Sequence, residues 1–214
     1  MKIKAAFFDL DETLYPLGNH VVSLVGEKMN RYIETALSIP REEVSSFREQ
    51  LYRKYGTTAK GLVVEHGVNL TDFLHYSHDV DYQQNIVPSL ELRQALASLR
   101  IPKYILTNAE RFHATRILKQ LQILDCFDGI MDVFDTFPET KPSPEAFERV
   151  LWMTGLTSAE GCVFFDDSPM NVETAHDLGF YAVQVGKRET INRGDAQIDR
   201  IEDFPSLDIF ARNH

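Results

Sequence analysis

Sulfur is scarce in this chain of 214 residues, which has two cysteines, Cys126 and Cys162, with no CxxC spacing. One disulfide between them is an open reading, and two buried thiols in a reducing compartment is the favoured one. Bases are also in deficit: 22 Lys and Arg stand against 32 Asp and Glu, a net charge of −10. That balance excludes a scaffold for nucleic-acid polymers, which needs clustered cations to displace counterions, and disfavours docking on an anionic membrane. No apolar run approaches the ~18 residues a membrane span requires, and the mean hydropathy is −0.24. The basic start Met1-Lys2-Ile3-Lys4 leads into an apolar stretch that ends at Asp9, too short for a signal-peptide core. Internal repeats, low-complexity tracts and long like-charge runs are absent too. What is present is ample core material, with 43% hydrophobic residues. The expectation is a cytoplasmic globular protein, monomer or homodimer, with a small-molecule or protein partner.

The apolar residues come in two rhythms. Ile3–Leu10, Tyr104–Thr107, Gly129–Phe134, Cys162–Phe165 and Tyr181–Val185 are short continuous runs, as suits strands buried on both faces of a parallel sheet. Between them apolar residues repeat at helical spacing, as in Ala114, Ile117, Leu118 and Leu121, or Phe147, Val150 and Leu151. Asp167–Leu178 reads as a helix closed by Gly179. Trp152 and the phenylalanines read as core. Alternating strands and helices predict an α/β fold, a doubly wound parallel sheet.

From 17 to 87 no strand is evident. Val21, Val25, Met29, Tyr32, Ile33 and Ala36 recur helically, as do Val44, Phe47, Leu51 and Tyr55, and Pro40 with Glu42 and Glu43 marks a helix start. The pattern predicts an all-helical subdomain over 17–87, inserted into an α/β core made of 1–16 and 88–214.

Ligands of open α/β sheets bind beyond the carboxyl ends of the strands. Those ends carry Asp9-Leu10-Asp11-Glu12-Thr13, Thr107-Asn108, Lys141 and Asp166-Asp167-Ser168. Carboxylates packed together repel unless a cation joins them. Asp9, Asp11, Asp166 and Asp167 offer oxygen only, which favours a hard ion such as Mg²⁺. Thr107, Asn108 and Lys141 suit the oxygens of a phosphate. A metal-held carboxylate is a credible nucleophile, and Asp11 is placed to serve as acid and base.

Asp9-Leu10-Asp11-Glu12-Thr13-Leu14 resembles the first motif of the haloacid-dehalogenase superfamily of phosphotransferases. Thr107, Lys141 and Asp166-Asp167 follow in the order and spacing of its second, third and fourth motifs. The resemblance covers the whole chain and implies a Rossmann-like core with a helical cap inserted after the first strand. It implies that Asp9 is the nucleophile and Asp11 the acid/base. It further implies Mg²⁺ on the Asp9 carboxylate, the Asp11 backbone carbonyl and Asp167, with Asp166 in the outer shell. Thr107 and Asn108 would bind phosphate, and Lys141 would steady Asp9 and the transferring group. An acid at position 11 favours phosphate processing over dehalogenation. The chain departs from most members at Asn171, where a second acid is usual.

Tyr15-Pro16, the cap segment Tyr55-Gly56-Thr57-Thr58-Ala59-Lys60-Gly61-Leu62, Thr107-Asn108-Ala109 and Phe165-Asp166-Asp167-Ser168 are similar to pyrimidine 5′-nucleotidases. That likeness implies a nucleoside monophosphate substrate, UMP or CMP, with Thr57, Thr58 and Lys60 reaching its base or sugar and the two glycines making a tight turn. Phosphatases of phosphoglycolate or sugar phosphates, and phosphomutases, remain alternatives. Plainer readings make Thr57 and Thr58 helix caps, Asp166 a strut for its loop or Lys141, Arg111 a solvated helix residue, and His75 and His78 surface or packing residues. Among non-enzymes, a phospho-receiver switch shares the chemistry but takes its acid pair from the first strand and lacks a cap. An idle regulator is disfavoured because every catalytic position is filled.

Overall fold

The computed structural model describes residues 2–186 and 193–211. In chain order its elements are β1 (Ala5–Phe8), α1 (Val21–Leu37), α2 (Arg41–Tyr55), α3 (Thr58–His66), α4 (Leu70–His78), α5 (Leu90–Ser98) and β2 (Lys103–Leu106). Then come α6 (Arg111–Gln120), β3 (Gly129–Met131), α7 (Val133–Thr136), α8 (Pro144–Met153), β4 (Cys162–Asp166), α9 (Pro169–Asp177), β5 (Tyr181–Val185), β6 (Ala196–Ile198) and α10 (Asp208–Ala211). The chain divides into two compact units, one of residues 1–19 with 86–214 and one of residues 20–85. The expected insertion, 17–87, has bounds that differ from these by two or three residues at each end.

The first unit is built on a six-stranded sheet in the order β3-β2-β1-β4-β5-β6, with every pairing parallel. Alternation along β1 and β4 separates two aromatic layers. Phe7 and Phe164 face Phe147 of α8 and Phe180, in a cluster that includes Val172 and Ala175 of α9. Phe8 and Phe165 stack at 4.7 Å on the opposite face, against Phe204. Burial on both faces is why these strands read as continuous apolar runs. The strand order reverses direction between β1 and β4, the switch point at which open sheets leave a crevice.

Several expectations are corrected. The run 129–134 is not one strand. β3 stops at Met131, and Asp132 caps α7, accepting from Asp135 N at 3.2 Å while Asp135 accepts from Asp132 N at 3.0 Å. This reciprocal capping box starts a helix where apolarity alone predicts strand. β6 was not anticipated, because its three residues carry no apolar run. Trp152 is 78% exposed, lying off the buried Phe147–Val150–Leu151 stripe of α8. Cys126 is half-buried rather than buried, and both thiols are free, with burial pushing Cys162 up to about 11.

In the second unit α1 packs on α4 and α2 on α3. Ile33, Val44, Leu62 and Phe73 are buried on these helices, and Arg48 of α2 donates to Gly26 O at 3.0 Å and to Asn30 Oδ1 at 2.8 Å on α1. The two glycines expected to make one turn have separate duties. Gly56 ends α2 at φ 79°, whereas Gly61 sits within α3 where a Cβ would stand 2.8 Å from Leu51 Cβ. Gly61→Ala should therefore destabilise by about 1–3 kcal/mol through overpacking, despite alanine's better helix propensity. A lowered thermal midpoint checks this, and a raised one would show that the α2–α3 contact yields.

Candidate active site

The ends of β1, β2 and β4 lie side by side, and what projects there converges on one ammonium group. Lys141, in the loop between α7 and α8, is 2% exposed, and its Nζ donates to Asp9 Oδ1 and to Asp166 Oδ2, each at 2.7 Å. Asp9 follows β1, its N–H bonded to Phe165 O of β4 at 2.8 Å, which sets it beside Asp166. Lys141 Nζ also stands 5.4 Å above the Phe164 ring, a favourable cation–π distance. Burial alone would lower the Lys141 pKa, but the Asp166 and Asp9 carboxylates outweigh it and hold the ammonium above its ordinary range. Burial pushes the Asp9 carboxyl well up, with Lys141 opposing and Asp166 and Asp167 adding to the rise.

The backbone that carries Lys141 is fixed by Asn108. Asn108 Oδ1 accepts from Lys141 N at 3.0 Å, and Asn108 Nδ2 donates to Lys141 O at 2.9 Å. Both ends of the Asn108 side-chain amide thus hold the Lys141 backbone, and one proton of Nδ2 is left beyond that pairing. Thr107 is buried at the end of β2, its Oγ1 accepting from Ala109 N at 3.0 Å, and its hydroxyl proton remains available as a donor.

Asp166 is fully buried. Its Oδ1 accepts from Ser168 N at 2.8 Å and Asn171 Nδ2 at 3.0 Å, and its Oδ2 from Lys141 and again Asn171. Four bonds fill the acceptor capacity of a carboxylate, so Asp166 serves as a strut for Lys141 and the β4–α9 turn. Asn171, where an acid is usual by resemblance, thus supplies a donor. Asp167 is half-buried, and carboxylate oxygens of Asp9, Asp166 and Asp167 all lie within 4.8 Å of one another. The Asp11 carboxylate stands outside that group. It is met by Tyr15 Oη at 2.5 Å and by His113 Nε2 at 2.9 Å, and Asp11 and burial together hold the Tyr15 phenol well above its usual pKa. Thr13 donates to Asp9 Oδ2 at 3.2 Å.

Tyr15 was quoted from the sequence only as part of a likeness, and His113 was missed. The histidine lies 102 residues from Asp11, and its neighbours in sequence give no local sign of the contact. Arg111 reaches Asp135 at 2.6 Å and remains half exposed, a surface pair. Thr57 caps α3, its hydroxyl accepting from Lys60 N at 3.1 Å, while Thr58 is buried and Lys60 half-buried.

A hard divalent cation fits this chemistry. Carboxylate oxygens of Asp9, Asp166 and Asp167 converge with one ammonium among them, and burial, with Asp166 and Asp167 adding to it, pushes the Asp9 carboxyl up against the pull of Lys141.

The fold is thus a parallel α/β sheet whose adjacent strand ends gather acids around a buried lysine. The chain belongs to the haloacid dehalogenase-like hydrolase family, whose model matches residues 3–179. It is 31% identical over 192 residues to phosphate metabolism protein 8 of Saccharomyces cerevisiae, covering 82% of this chain and 59% of that protein. It is 34% identical over 90 residues to a phosphoglycolate phosphatase of Neisseria gonorrhoeae, covering 42% of this chain and 37% of the relative. The chain thus spans less than two thirds of the curated relatives it matches. Among solved structures, the HAD-hydrolase YfnB of Bacillus subtilis, bound to magnesium, superposes with a TM-score of 0.66 at 17% identity, covering 99% of this chain and all of that one. At that identity the likeness speaks for the fold alone.

Lys141→Met leaves two buried carboxylates without their cation, and breaking such a cluster costs about 3–5 kcal/mol. The variant's Asp9, already pushed up in the wild type, rises further when the opposing Lys141 is gone. Between the ordinary carboxylate range and that raised value the folded state binds the proton more tightly than the unfolded chain, so stability increases as pH falls through the window. Urea midpoints should therefore show the variant's deficit shrinking from pH 7 to pH 5. An equal deficit at both would mean that Lys141 does not compensate these acids.

Proposed function

We propose that the protein is a Mg²⁺-dependent phosphomonoester hydrolase working through an aspartyl-phosphate intermediate, with a nucleoside monophosphate, UMP or CMP, as substrate. The observation that carries this reading is the orientation of Asp9. Lys141 holds one of its carboxylate oxygens and Thr13 the other, so the nucleophile's plane is set before substrate arrives. Asp9 attacks phosphorus in line, Asp11 protonates the departing alkoxide, and Asp11 then accepts a proton from the water that opens the aspartyl phosphate. Thr107 and the second amide proton of Asn108 donate to phosphate oxygens, and Asn108 also fixes Lys141. The Asp9 and Asp167 carboxylates and the Asp11 carbonyl would hold the ion, which would supply the positive charge a phosphate dianion needs beside these acids.

The phosphate-processing names of the two curated relatives support the reaction class. Support for the nucleotide is narrower and comes from the pyrimidine-nucleotidase likeness around Tyr15-Pro16 and Tyr55–Leu62. On this reading the helical unit is the cap that chooses the leaving group, through Thr57, Thr58 and Lys60. The protein works in the cytoplasm as a monomer or homodimer. Phosphoglycolate is the second reading, favoured by the Neisseria relative.

A phosphate-release panel with Mg²⁺ tests this, setting UMP and CMP against AMP, GMP, phosphoglycolate and sugar phosphates. Pyrimidine nucleotides should lead by at least about tenfold in kcat/KM, the scale a few specific contacts provide. A lead for phosphoglycolate would move the substrate to the second reading, and phosphate release well below the rate of substrate loss would indicate a mutase. Asp9→Asn should fall to background while keeping the wild-type melting curve, and chelation of Mg²⁺ should stop turnover reversibly. Normal turnover in Asp9→Asn would end the nucleophile assignment.

A further inference from the structure

Asp11 is gripped at one oxygen by two side chains from different elements. Tyr15 donates from the loop after β1, and His113 arrives from the first turn of α6, the helix that follows the end of β2. Both are almost wholly enclosed, Tyr15 at 3% and His113 at 1% exposure. Burying a phenol and an imidazole is costly unless their polar atoms find partners, and the Tyr15 hydroxyl and the His113 Nε2 both meet Asp11 Oδ1. An ionised carboxylate offers only acceptors, so His113 Nε2 carries its proton in that state.

We propose that Tyr15 and His113 are positioning residues for Asp11, two donors on Oδ1 that fix the carboxyl plane and keep the acid's exchangeable proton on Oδ2. This rests on the reading of Asp11 as the acid that protonates the leaving group. A carboxylic acid keeps two donors on one oxygen only when its own proton sits on the other. The step then balances as follows. A bond forms from the Asp9 oxygen to phosphorus, and the bond from phosphorus to the ester oxygen breaks. Its electron pair stays on the ester oxygen, which takes the proton from Asp11 Oδ2. Asp11 is left as the carboxylate, and it recovers a proton from the water that releases phosphate from Asp9. Proton transfer needs the two heavy atoms within hydrogen-bond reach, so the aim of Oδ2 matters as much as its basicity. The clamp also joins the strand end that carries Thr107 to the loop that carries Asp11, through α6.

The test separates leaving groups that need a proton from one that does not. An alkyl monoester turned over by the wild type is compared with p-nitrophenyl phosphate, using kcat/KM, which reports formation of the phosphoenzyme. Tyr15→Phe and His113→Leu should lower kcat/KM on the alkyl ester by about 10- to 100-fold, the scale of a misplaced group, and on the aryl ester by less than about threefold. Asp11→Asn should show the same selectivity with a larger loss. His113→Gln, whose amide Nε2 can donate from a similar position but cannot carry a titrating proton, should restore the alkyl rate to within about fivefold of wild type. Equal losses on both esters, no loss on either, or failure of His113→Gln to restore the alkyl rate would overturn the positioning role. Wild-type protein that releases phosphate from neither ester would overturn the phosphatase reading itself, which is a different result.

Discussion

A lysine ammonium enclosed by protein has to be answered by charge, and most of this site can be understood as the answer to Lys141. Its Nζ lies 2.7 Å from each of two carboxylates that come from different strands, Asp9 after β1 and Asp166 at the end of β4. That bridge is possible only because the sheet order places β1 directly beside β4. The remaining contacts serve it. Asn108 holds the Lys141 backbone by both amide atoms, Phe164 lies beneath the ammonium, and Asn171 with the Ser168 amide occupies the rest of Asp166. A buried charge cluster of this kind adds little net stability compared with apolar residues of equal volume. What it does provide is a nucleophile candidate that cannot rotate.

The same cluster leaves the site short of positive charge. Asp9, Asp166 and Asp167 converge with one ammonium among them, and burial, reinforced by the two neighbouring acids, pushes Asp9 toward its neutral form. The chain as a whole carries −10, which keeps polyanions away from its surface. On the proposed function a small phosphate dianion would face the same repulsion, and a hard cation on the oxygen donors would remove it locally. Net charge would then constrain large partners more than a small ligand of this site.

Much of this was legible in the amino-acid order, and the exceptions have physical causes. β1, β4 and β5 were readable because strands buried on both faces leave uninterrupted apolar runs. The segment after Met131 was misread because hydrophobicity does not distinguish a strand from a short helix, and the Asp132–Asp135 capping box decided it. Trp152 was assigned to the core on residue type, whereas its position off the α8 stripe leaves it in solvent. At the site, Asp9, Lys141 and Asp166 were found from strand ends and motif spacing. The hold of Asn108 on the Lys141 backbone and the approach of His113 to Asp11 were not, because both are tertiary contacts across 33 and 102 residues with no local signature.

The family model over residues 3–179 places the chain in its family, but folds of this kind host more than one chemistry, so function has to be argued from the site. The central claim is that Asp9 becomes covalently phosphorylated. Acid quenching during turnover of a phosphate monoester with Mg²⁺, followed by peptide mapping by mass spectrometry, tests it most directly. The account predicts a phosphate adduct on Asp9 that is absent from Asp9→Asn. An adduct on a different residue, or steady phosphate release with Asp9 unmodified at every quench time, would contradict it.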